Sequence, residues 1–211
     1  MARNAPRKGV AVRSRPARRR TAETRARILA AGRRLFVDEG WAAFTTRRVA
    51  REAGVSLGSL QHFFPCKEQL LAGMLEDIIA AYGQQFAELE TRLPQGGQER
   101  LLAAVQFLVD DIWRPESRQF FLNLFAASCH SAAAGRLLND VYAHHRRRIA
   151  GYIAAARPDL TERQCLDLGL LVAALIDGLM IYTAPDAKAV SSRAYLADMV
   201  RNTILKLTGE A

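Results

Sequence analysis

The sequence is poor in residues that build metal sites or disulfide frameworks. Its 211 residues include three cysteines, Cys66, Cys129 and Cys165, which are widely spaced and form no CxxC pair. The four histidines do not complete a zinc-binding pattern with them. A sparse, odd set of cysteines is typical of a reducing compartment. We therefore expect a cytoplasmic protein with no disulfide, no metal and no cofactor.

Membrane and catalytic signals are also scarce. The most apolar stretch, 168–182, is shorter than a bilayer span and contains Asp177 and Gly178. Residues 1–20 lack the apolar run that follows the positive charges of a secretion signal. The chain has no Gly-rich phosphate loop and no nucleophile and base at motif spacing. These absences predict that the protein has no membrane partner and is not an enzyme.

Acidic residues are missing from positions 1–20, which hold eight of the 30 Lys and Arg residues. Residues 21–67 contain eight basic and four acidic residues, whereas residues 68–211 contain 14 basic and 17 acidic ones. A basic arm beside a basic module is typical of a protein that binds a polyanion. We predict that residues 1–20 form a disordered basic arm; a solvated tail without a partner is the alternative.

The hydrophobic residues recur with helical spacing, and no segment alternates as a strand does. This pattern predicts an all-α fold, with an N-terminal three-helix domain at 21–66 and a larger helical domain at 67–211. Gly40 is expected to end the first helix. The predicted helices are 21–39, 46–53, 57–63, 67–92, 98–113, one that starts near Pro115, 133–156, 161–184 and 192–207.

Residues 45–64 have the pattern of a helix-turn-helix. Thr45 or Thr46 can cap the first short helix, Gly54 stands at a sharp turn, and Ser56 can cap the second. Val49, Ala50, Val55, Leu60 and Phe64 supply the apolar positions. This pattern predicts a second helix that enters the major groove of double-stranded DNA.

The remaining residues of the motif are expected to face DNA. Gly58 and Ser59 are small enough for close approach, Gln61 could read adenine and Leu57 could contact a thymine methyl group. Phosphates would be held near the helix starts. The predicted DNA-binding residues are Thr45, Thr46, Arg47, Ser56, Leu57, Gly58, Ser59, Gln61, His62, Phe63 and Lys67. A protein that coats DNA without sequence preference is the alternative.

The stretch TTRRVAREAGVS at 45–56, followed by LQHFF at 60–64 and KEQLL at 67–71, resembles the TetR family of transcriptional repressors. Two positions depart from the family pattern, because Gln61 and Phe63 stand where tyrosines are frequent. The resemblance implies an all-helical homodimer, a palindromic operator, and a C-terminal pocket whose small-molecule ligand releases DNA. Residues 175–180 further resemble BetI-type members of the family, which include regulators of choline and betaine metabolism.

The helix at 161–184 is apolar nearly all round, so it requires cover on two sides. We predict a homodimer through 161–184 and 192–207, with completion of the monomer core as the alternative. Ligand binding would fall to aromatic residues of the body and to one carboxylate on the apolar helix. The candidate effector-binding residues are Tyr82, Phe86, Phe107, Trp113, Phe121, Phe125 and Asp177.

Asp177 is costly to bury without a partner. An arginine or a helix N-terminus could pair with it, or it could attract a cationic effector beside the π face of Trp113 or Tyr82. The basic run 144–148 is expected to be a solvated helix face, with an anion site as the alternative. Cys66, next to Lys67 at a helix start, offers a rival redox signal.

Overall fold

The computed structural model describes residues 15–92, 96–182 and 193–208. Within these ranges all regular structure is helical. The helices are α1 (Arg15–Ala43), α2 (Thr46–Ala53), α3 (Leu57–Phe63), α4 (Lys67–Arg92), α5 (Gly97–Ile112), α6 (Pro115–Ser128), α7 (Ala132–Ala156), α8 (Glu162–Tyr182) and α9 (Arg193–Leu207). The all-α prediction is confirmed, and α2, α3 and α4 have the predicted bounds.

Helix α1 differs from its prediction at both ends. It begins at Arg15, so residues 15–20 of the predicted disordered arm are helical, while residues 1–14 lie outside the described residues. Gly40 kinks α1 with φ 71°, but helical structure resumes and continues to Ala43. Trp41 and Phe44 pack against Phe36, with ring centroids 6.5 Å and 5.4 Å away. These aromatic contacts hold the chain against the core beyond the kink.

The hydrophobic core runs without interruption from α1 into the larger group of helices. Ile28, Phe44 and Leu60 are fully buried among the first three helices, and Leu70 and Leu71 of α4 are buried in the same cluster. Helix α1 packs on α2, α4 and α6. The predicted second domain begins at Lys67, the first residue of α4; the division of the chain into two domains stays a prediction.

Helices α5–α8 pack around each other, and α8 lies mainly against α7. The apolar stretch 168–182 was expected to be too short for a bilayer, but residues 162–181 of α8 form a helix that is long and apolar enough to cross one by length and composition alone. The core helix of a soluble protein meets the same criterion. Val172, Ile176 and Met180 of α8 are buried in the core.

Candidate nucleic-acid interface and ligand pocket

The turn between α2 and α3 is built from short-range hydrogen bonds. The Thr45 side chain accepts from the Arg48 backbone N–H at 3.3 Å, and the Ser56 side chain accepts from Ser59 N–H at 3.1 Å. Gly54 has φ 63°, the left-handed conformation that glycine adopts at low cost. The predicted caps and turn of a helix-turn-helix are therefore present.

A residue of α1 clamps this turn. The Arg27 guanidinium donates to the carbonyl oxygens of Ala53 at 3.1 Å and Gly54 at 3.3 Å. These carbonyls lie at the end of α2, where helix geometry leaves acceptors unpaired. Sequence reasoning missed Arg27, because nothing in its local pattern reveals a partner more than 20 residues away.

The residues predicted to face DNA differ in exposure. Gly58, Gln61 and His62 are exposed, whereas Leu57 and Ser59 are half-buried. A Cβ atom added to Gly58 would meet nothing within 4 Å, so the packing of the chain does not require glycine there. Phe63 was expected to be exposed, but it is half-buried and packs against the core. Its ring lies 6.4 Å from the ring of Phe64, which is buried in the core, and a large aromatic ring favours such burial over solvent.

The candidate phosphate contacts lie at the starts of α2 and α4. Thr45 and Arg47 are exposed and Thr46 is half-buried. The Lys67 ammonium group lies 3.9 Å from the centroid of the Trp41 ring, a cation–π contact that holds it beside the end of α1. Cys66, the residue of the redox hypothesis, is a half-buried free thiol.

Arg48 is engaged within the protein, unlike its neighbour Arg47. Its guanidinium donates to both carboxylate oxygens of Glu39, at 2.7 Å and 2.5 Å. The hydrogen bonds from Arg48 lower the pKa of the Glu39 carboxyl group. The pair fixes α2 against α1, whereas Arg47 and Arg51 of the same helix are exposed.

The body contains a largely apolar pocket between α4, α5, α6, α7 and α8. Tyr82, Phe121 and Asp177 were predicted from sequence to bind a ligand, and all three line it. The complete lining is Tyr82, Leu108, Asp111, Ile112, Phe121, Tyr142, His145, Ile149, Ala173, Ile176, Asp177 and Met180.

Four other candidates lie outside this lining. Phe107 packs edge-on against Tyr82 and against Phe86, with centroids 5.7 Å and 5.0 Å apart, so both phenylalanines support the wall from behind. The Phe125 ring lies 5.5 Å from the Tyr142 ring and is tilted against it. Trp113 ends α5, with the Arg193 guanidinium 5.9 Å from its ring. Phe86 is buried and the other three pack against the same core, so the sequence did not distinguish core residues from pocket residues.

Asp177 pairs with a tyrosine, not with the arginine or helix N-terminus considered in the sequence analysis. The Tyr142 hydroxyl donates to Asp177 Oδ1 at 3.0 Å. Burial raises the pKa of Asp177 to about 6, although the hydrogen bond opposes this shift. Burial beside this carboxylate also raises the pKa of Tyr142, which keeps the phenol neutral.

A second carboxylate, Asp111, was missed by the sequence analysis. It accepts hydrogen bonds from the hydroxyl groups of Tyr82 and Ser117, the latter at 3.1 Å, and Arg114 approaches it at 3.7 Å. Asp111 follows Leu108 by three residues, so its position on the apolar face of α5 was a signal that could have identified it.

His145 corrects the interpretation of the basic run. It lines the pocket with its ring 5.3 Å from that of Tyr82, whereas Arg147 of the same run is exposed. Burial lowers the pKa of His145 to about 4, so the imidazole is neutral near pH 7. The described pocket lining therefore combines two carboxylates with no cationic side chain, which argues against the anion alternative at this place.

The exposed large hydrophobic side chains of the described residues all lie on α8 and α9. Contiguous exposed apolar surface of this kind marks an interaction site in soluble proteins. These residues are Leu170, Leu171, Leu175, Ile181, Tyr195, Met199 and Leu207.

Comparisons with known proteins agree with both halves of this arrangement. The tetR family of bacterial regulatory proteins matches residues 28–74, and the C-terminal domain of BetI-type transcriptional repressors matches residues 97–208. The HTH-type transcriptional regulator BetI of Escherichia coli O45:K1 is 32% identical over 148 residues, which cover 69% of this chain and 74% of the relative.

Two solved structures have the same fold. A protein of Pseudomonas aeruginosa PAO1, assigned as a transcriptional regulator, matches with a TM-score of 0.76 at 18% identity, covering 89% of this chain and 91% of that one. A protein of Saccharomonospora viridis with the same assignment, solved in complex with choline, matches with a TM-score of 0.68 at 25% identity, covering 88% and 96%. The chain belongs to the TetR family of bacterial regulatory proteins, as a DNA-binding, ligand-responsive transcriptional repressor with a BetI-type C-terminal part.

Proposed function

We propose that this repressor binds a palindromic operator as a homodimer and releases it when a small organic cation occupies the pocket beside Asp177. The observation that carries the proposal is the Asp177–Tyr142 pair in an apolar pocket whose lining includes Asp111 but no Lys or Arg. In such a pocket the electrostatic interaction favours binding of a positively charged ligand and opposes binding of a negatively charged one.

The operator would be read by α3. Gln61 is the exposed amide placed to make two hydrogen bonds to adenine, and Leu57 would contact a thymine methyl group. Gly58 and Ser59 would let the backbone approach the bases, with His62 at the edge of the contact. Phe63 supports α3 from the protein side. Thr45, Thr46, Ser56, Arg47 and Lys67 would hold phosphates.

The dimer would form through the exposed apolar faces of α8 and α9, which include Leu171 of α8 and Met199 of α9. A four-helix contact between two copies would bury these side chains about a two-fold axis. The same axis would place two copies of α3 in successive major grooves, about 34–36 Å apart. The repressor would act in the cytoplasm, where the basic residues 1–14 would add contacts to DNA phosphates.

The effector class follows from the chemistry of the pocket. A quaternary ammonium group is attracted by carboxylates and by aromatic faces, and it donates no classical hydrogen bond that the apolar walls would leave unpaired. Tyr82, Tyr142 and Phe121 supply aromatic surface around the two carboxylates. The choline complex of the Saccharomonospora protein supports this class for a similar fold. We therefore use choline as the probe.

Release would occur by a shift between two conformations. The effector would favour a conformation in which α4 tilts and the two α3 helices no longer match successive grooves. A ligand shifts this equilibrium only by the difference between its affinities for the two conformations. Tight binding of choline with no change of operator affinity would contradict this mechanism.

The test begins with selection of bound sequences from a random DNA duplex pool by purified protein without ligand. Enrichment of a palindrome with two half-sites is the expected result. Choline is then titrated into the selected complex, with tetramethylammonium as a second cation and acetate as the anionic control. Enrichment of no sequence despite salt-sensitive binding would favour a protein that coats DNA. Release by acetate but not by either cation would refute the proposed effector class.

A further inference from the structure

Asp111 lines a second cavity as well as the ligand pocket. The polar lining of this cavity includes Arg33, Gln85, Arg114 and Ser117. Tyr82, Asp111 and Phe121 line both cavities. The name DNA-binding unit is used for helices α1, α2 and α3. Because Arg33 belongs to α1, the second cavity reaches this unit. Asp111 thus lies between the space for a ligand and the helices that hold α2 and α3.

The carboxylate of Asp111 joins three helices. It is 6% exposed and lies on α5, one oxygen accepts from the hydroxyl group of Tyr82 on α4, and the other accepts from Ser117 on α6 at 3.1 Å. Ser117 is itself buried in the first turns of α6. A buried hydroxyl that loses its acceptor is left with an unpaired polar group, so a shift of Asp111 must move or destabilise the start of α6.

Helix α6 continues the connection to the DNA-binding unit through two polar contacts. Glu116, next to Ser117, forms an ion pair with Arg33 of α1 at 2.9 Å. The Asn123 side-chain amide donates to the carbonyl oxygens of Phe36 at 2.7 Å and Val37 at 3.1 Å, near the kink of α1. Helix α1 in turn carries Arg27, which clamps the turn of the helix-turn-helix. These contacts would pass a movement of α6 to α1.

Asp177 has a different set of contacts. Its hydrogen-bond donor is Tyr142 on α7, and within the described part of the chain Asp177 forms no side-chain hydrogen bond or ion pair with α6. Helices α6 and α8 do touch through Arg118, but that guanidinium donates to the backbone carbonyl of Met180 at 2.9 Å and not to Asp177. The two pocket carboxylates are thus connected to different parts of the molecule.

We propose that Asp111 is the positioning residue that couples the pocket to the DNA-binding unit, whereas Asp177 supplies affinity for the effector. This inference rests on the proposed cationic effector. A cation in the pocket attracts Asp111 away from Ser117, and the start of α6 loses the hydrogen bond that holds it in the DNA-binding conformation. An effector that binds without moving Asp111 leaves the operator bound.

Two substitutions test the hydrogen bond between Asp111 and Ser117, one at each partner. Ser117→Ala removes the hydroxyl group of α6 and keeps the carboxylate, so the variant is expected to bind the operator as weakly as choline-bound wild type does. Asp111→Asn keeps an oxygen that can accept from Ser117 but lacks the charge that a cation attracts. It is expected to stay on the operator when choline is bound.

The measured quantity is the ratio of operator Kd with and without saturating choline, with choline Kd measured by calorimetry on the same proteins. Wild type should give a ratio of about 5–150, the usual range for allosteric coupling. Ser117→Ala and Asp111→Asn should each give a ratio below about two. The matched control is Asp110→Asn, because Asp110 is the exposed neighbour of Asp111 and pairs with Gln106. It should keep the wild-type ratio. Asp177→Asn should weaken choline binding but keep the ratio at saturation.

The outcomes distinguish this inference from the proposal beneath it. Failure of wild type to bind choline would overturn the effector class and this inference together. Choline binding and release in wild type, with a wild-type ratio in either Ser117→Ala or Asp111→Asn, would overturn the role of Asp111 alone. A Kd ratio below about two in Asp110→Asn as well would also overturn the role of Asp111, because any change in this turn of α5 would then have the same effect.

Discussion

The two ends of this chain use the same helical scaffold but place opposite chemistry at their functional surfaces. At the DNA-binding end, Gly58, Gln61 and His62 are exposed and the carboxylate of Glu39 is occupied by Arg48. In the body, the pocket carboxylates point inward and the exposed side chains of α8 and α9 are apolar. An unpaired carboxylate would repel a polyanion, whereas carboxylates that line a pocket would attract the proposed cationic effector.

The two ends also differ in the range of the contacts that build them. The caps and the turn of the helix-turn-helix are formed by hydrogen bonds between residues no more than five apart along the chain, and Arg27 adds one clamp from farther away. The pocket depends on pairs such as Tyr142 with Asp177 and Tyr82 with Asp111, which are separated by 35 and 29 residues. Local contacts can be inferred from spacing, but long-range pairs require the packing of whole helices.

The strongest test of the comparison is to make the apolar surface of the body charged. Leu171 and Met199 are 50% and 49% exposed, so the double variant Leu171→Glu with Met199→Glu should keep its fold but dissociate into monomers. Loss of the linked second half-site should weaken operator binding by about 100-fold or more. Sedimentation and mobility-shift titration measure the two effects. The control Ala80→Glu with Ala126→Glu adds the same charge to exposed positions of α4 and α6; an equal loss there would contradict the α8–α9 interface.

The next test removes one polar side chain from the DNA-binding end. Gln61→Ala should lower operator affinity by about 1–3 kcal/mol and relax the preference at one base pair of each half-site, because the amide would no longer read adenine. Competition between the selected operator and single-base variants measures both changes. Gln84→Ala, at an exposed position of α4, should leave affinity and preference unchanged. A uniform loss over all sequences would assign Gln61 to phosphate contact instead.

The pH dependence of effector binding sharpens the comparison in the body. A cation favours ionised Asp177, whose pKa is raised to about 6 in the free protein, so choline binding is accompanied by proton release below that pH. Choline affinity should therefore fall by about tenfold between about pH 7 and about pH 5. Through most of this window His145 stays neutral, since its pKa is lowered to about 4, and Tyr82 and Tyr142 stay neutral because their pKa values are raised.

Calorimetric titration at several pH values measures this dependence. Asp177→Asn should bind choline about tenfold or more weakly near neutral pH, because the attraction to one buried charge is lost. Its affinity should also vary less with pH over the same window. An unchanged pH profile in Asp177→Asn would show that another group titrates.

The smallest effects are expected from removing equivalent serine N-caps, one in the helix-turn-helix and one in the body. Ser56→Ala and Ser131→Ala each remove a side chain that accepts from a helix N–H, at 3.1 Å in α3 and 3.3 Å in α7. Each should lower the free energy of unfolding by about 1 kcal/mol. Only Ser56→Ala should also weaken operator binding by folded protein. Chemical denaturation and mobility shifts give the two values, and an equal loss of operator affinity in Ser131→Ala would remove the distinction.

The sequence predicted most helices within one or two residues, because breaks at Gly54, Pro115 and Pro158 separate segments of clear helical period. It also predicted that Tyr82, Phe121 and Asp177 are functional candidates of the body, and these three side chains meet in one pocket. It did not reveal the continuation of α1 past Gly40. That continuation depends on the packing of Trp41 and Phe44 against Phe36, a matter of tertiary contact.

The missed residues have a common physical reason. Arg27, Asp111 and His145 act through partners on other helices. Asp111 and Asp110 are adjacent acids on α5, yet one is buried between two cavities and the other is exposed. Helical period separates their faces, but only the position of α4, α6 and α7 decides that the inward face of α5 meets a cavity and not ordinary core.

By itself, the sequence determined the all-helical fold, the helix-turn-helix and the concentration of positive charge at the N-terminal end, because caps, turns and charge act over a few residues. Only the tertiary structure decided the partners of the buried acids. Asp177 meets a tyrosine, Asp111 joins the pocket to α6, and Phe63 turns to the core. A buried charge has its energy set by whichever groups the packed helices bring within hydrogen-bond distance, and those groups come from distant parts of the chain.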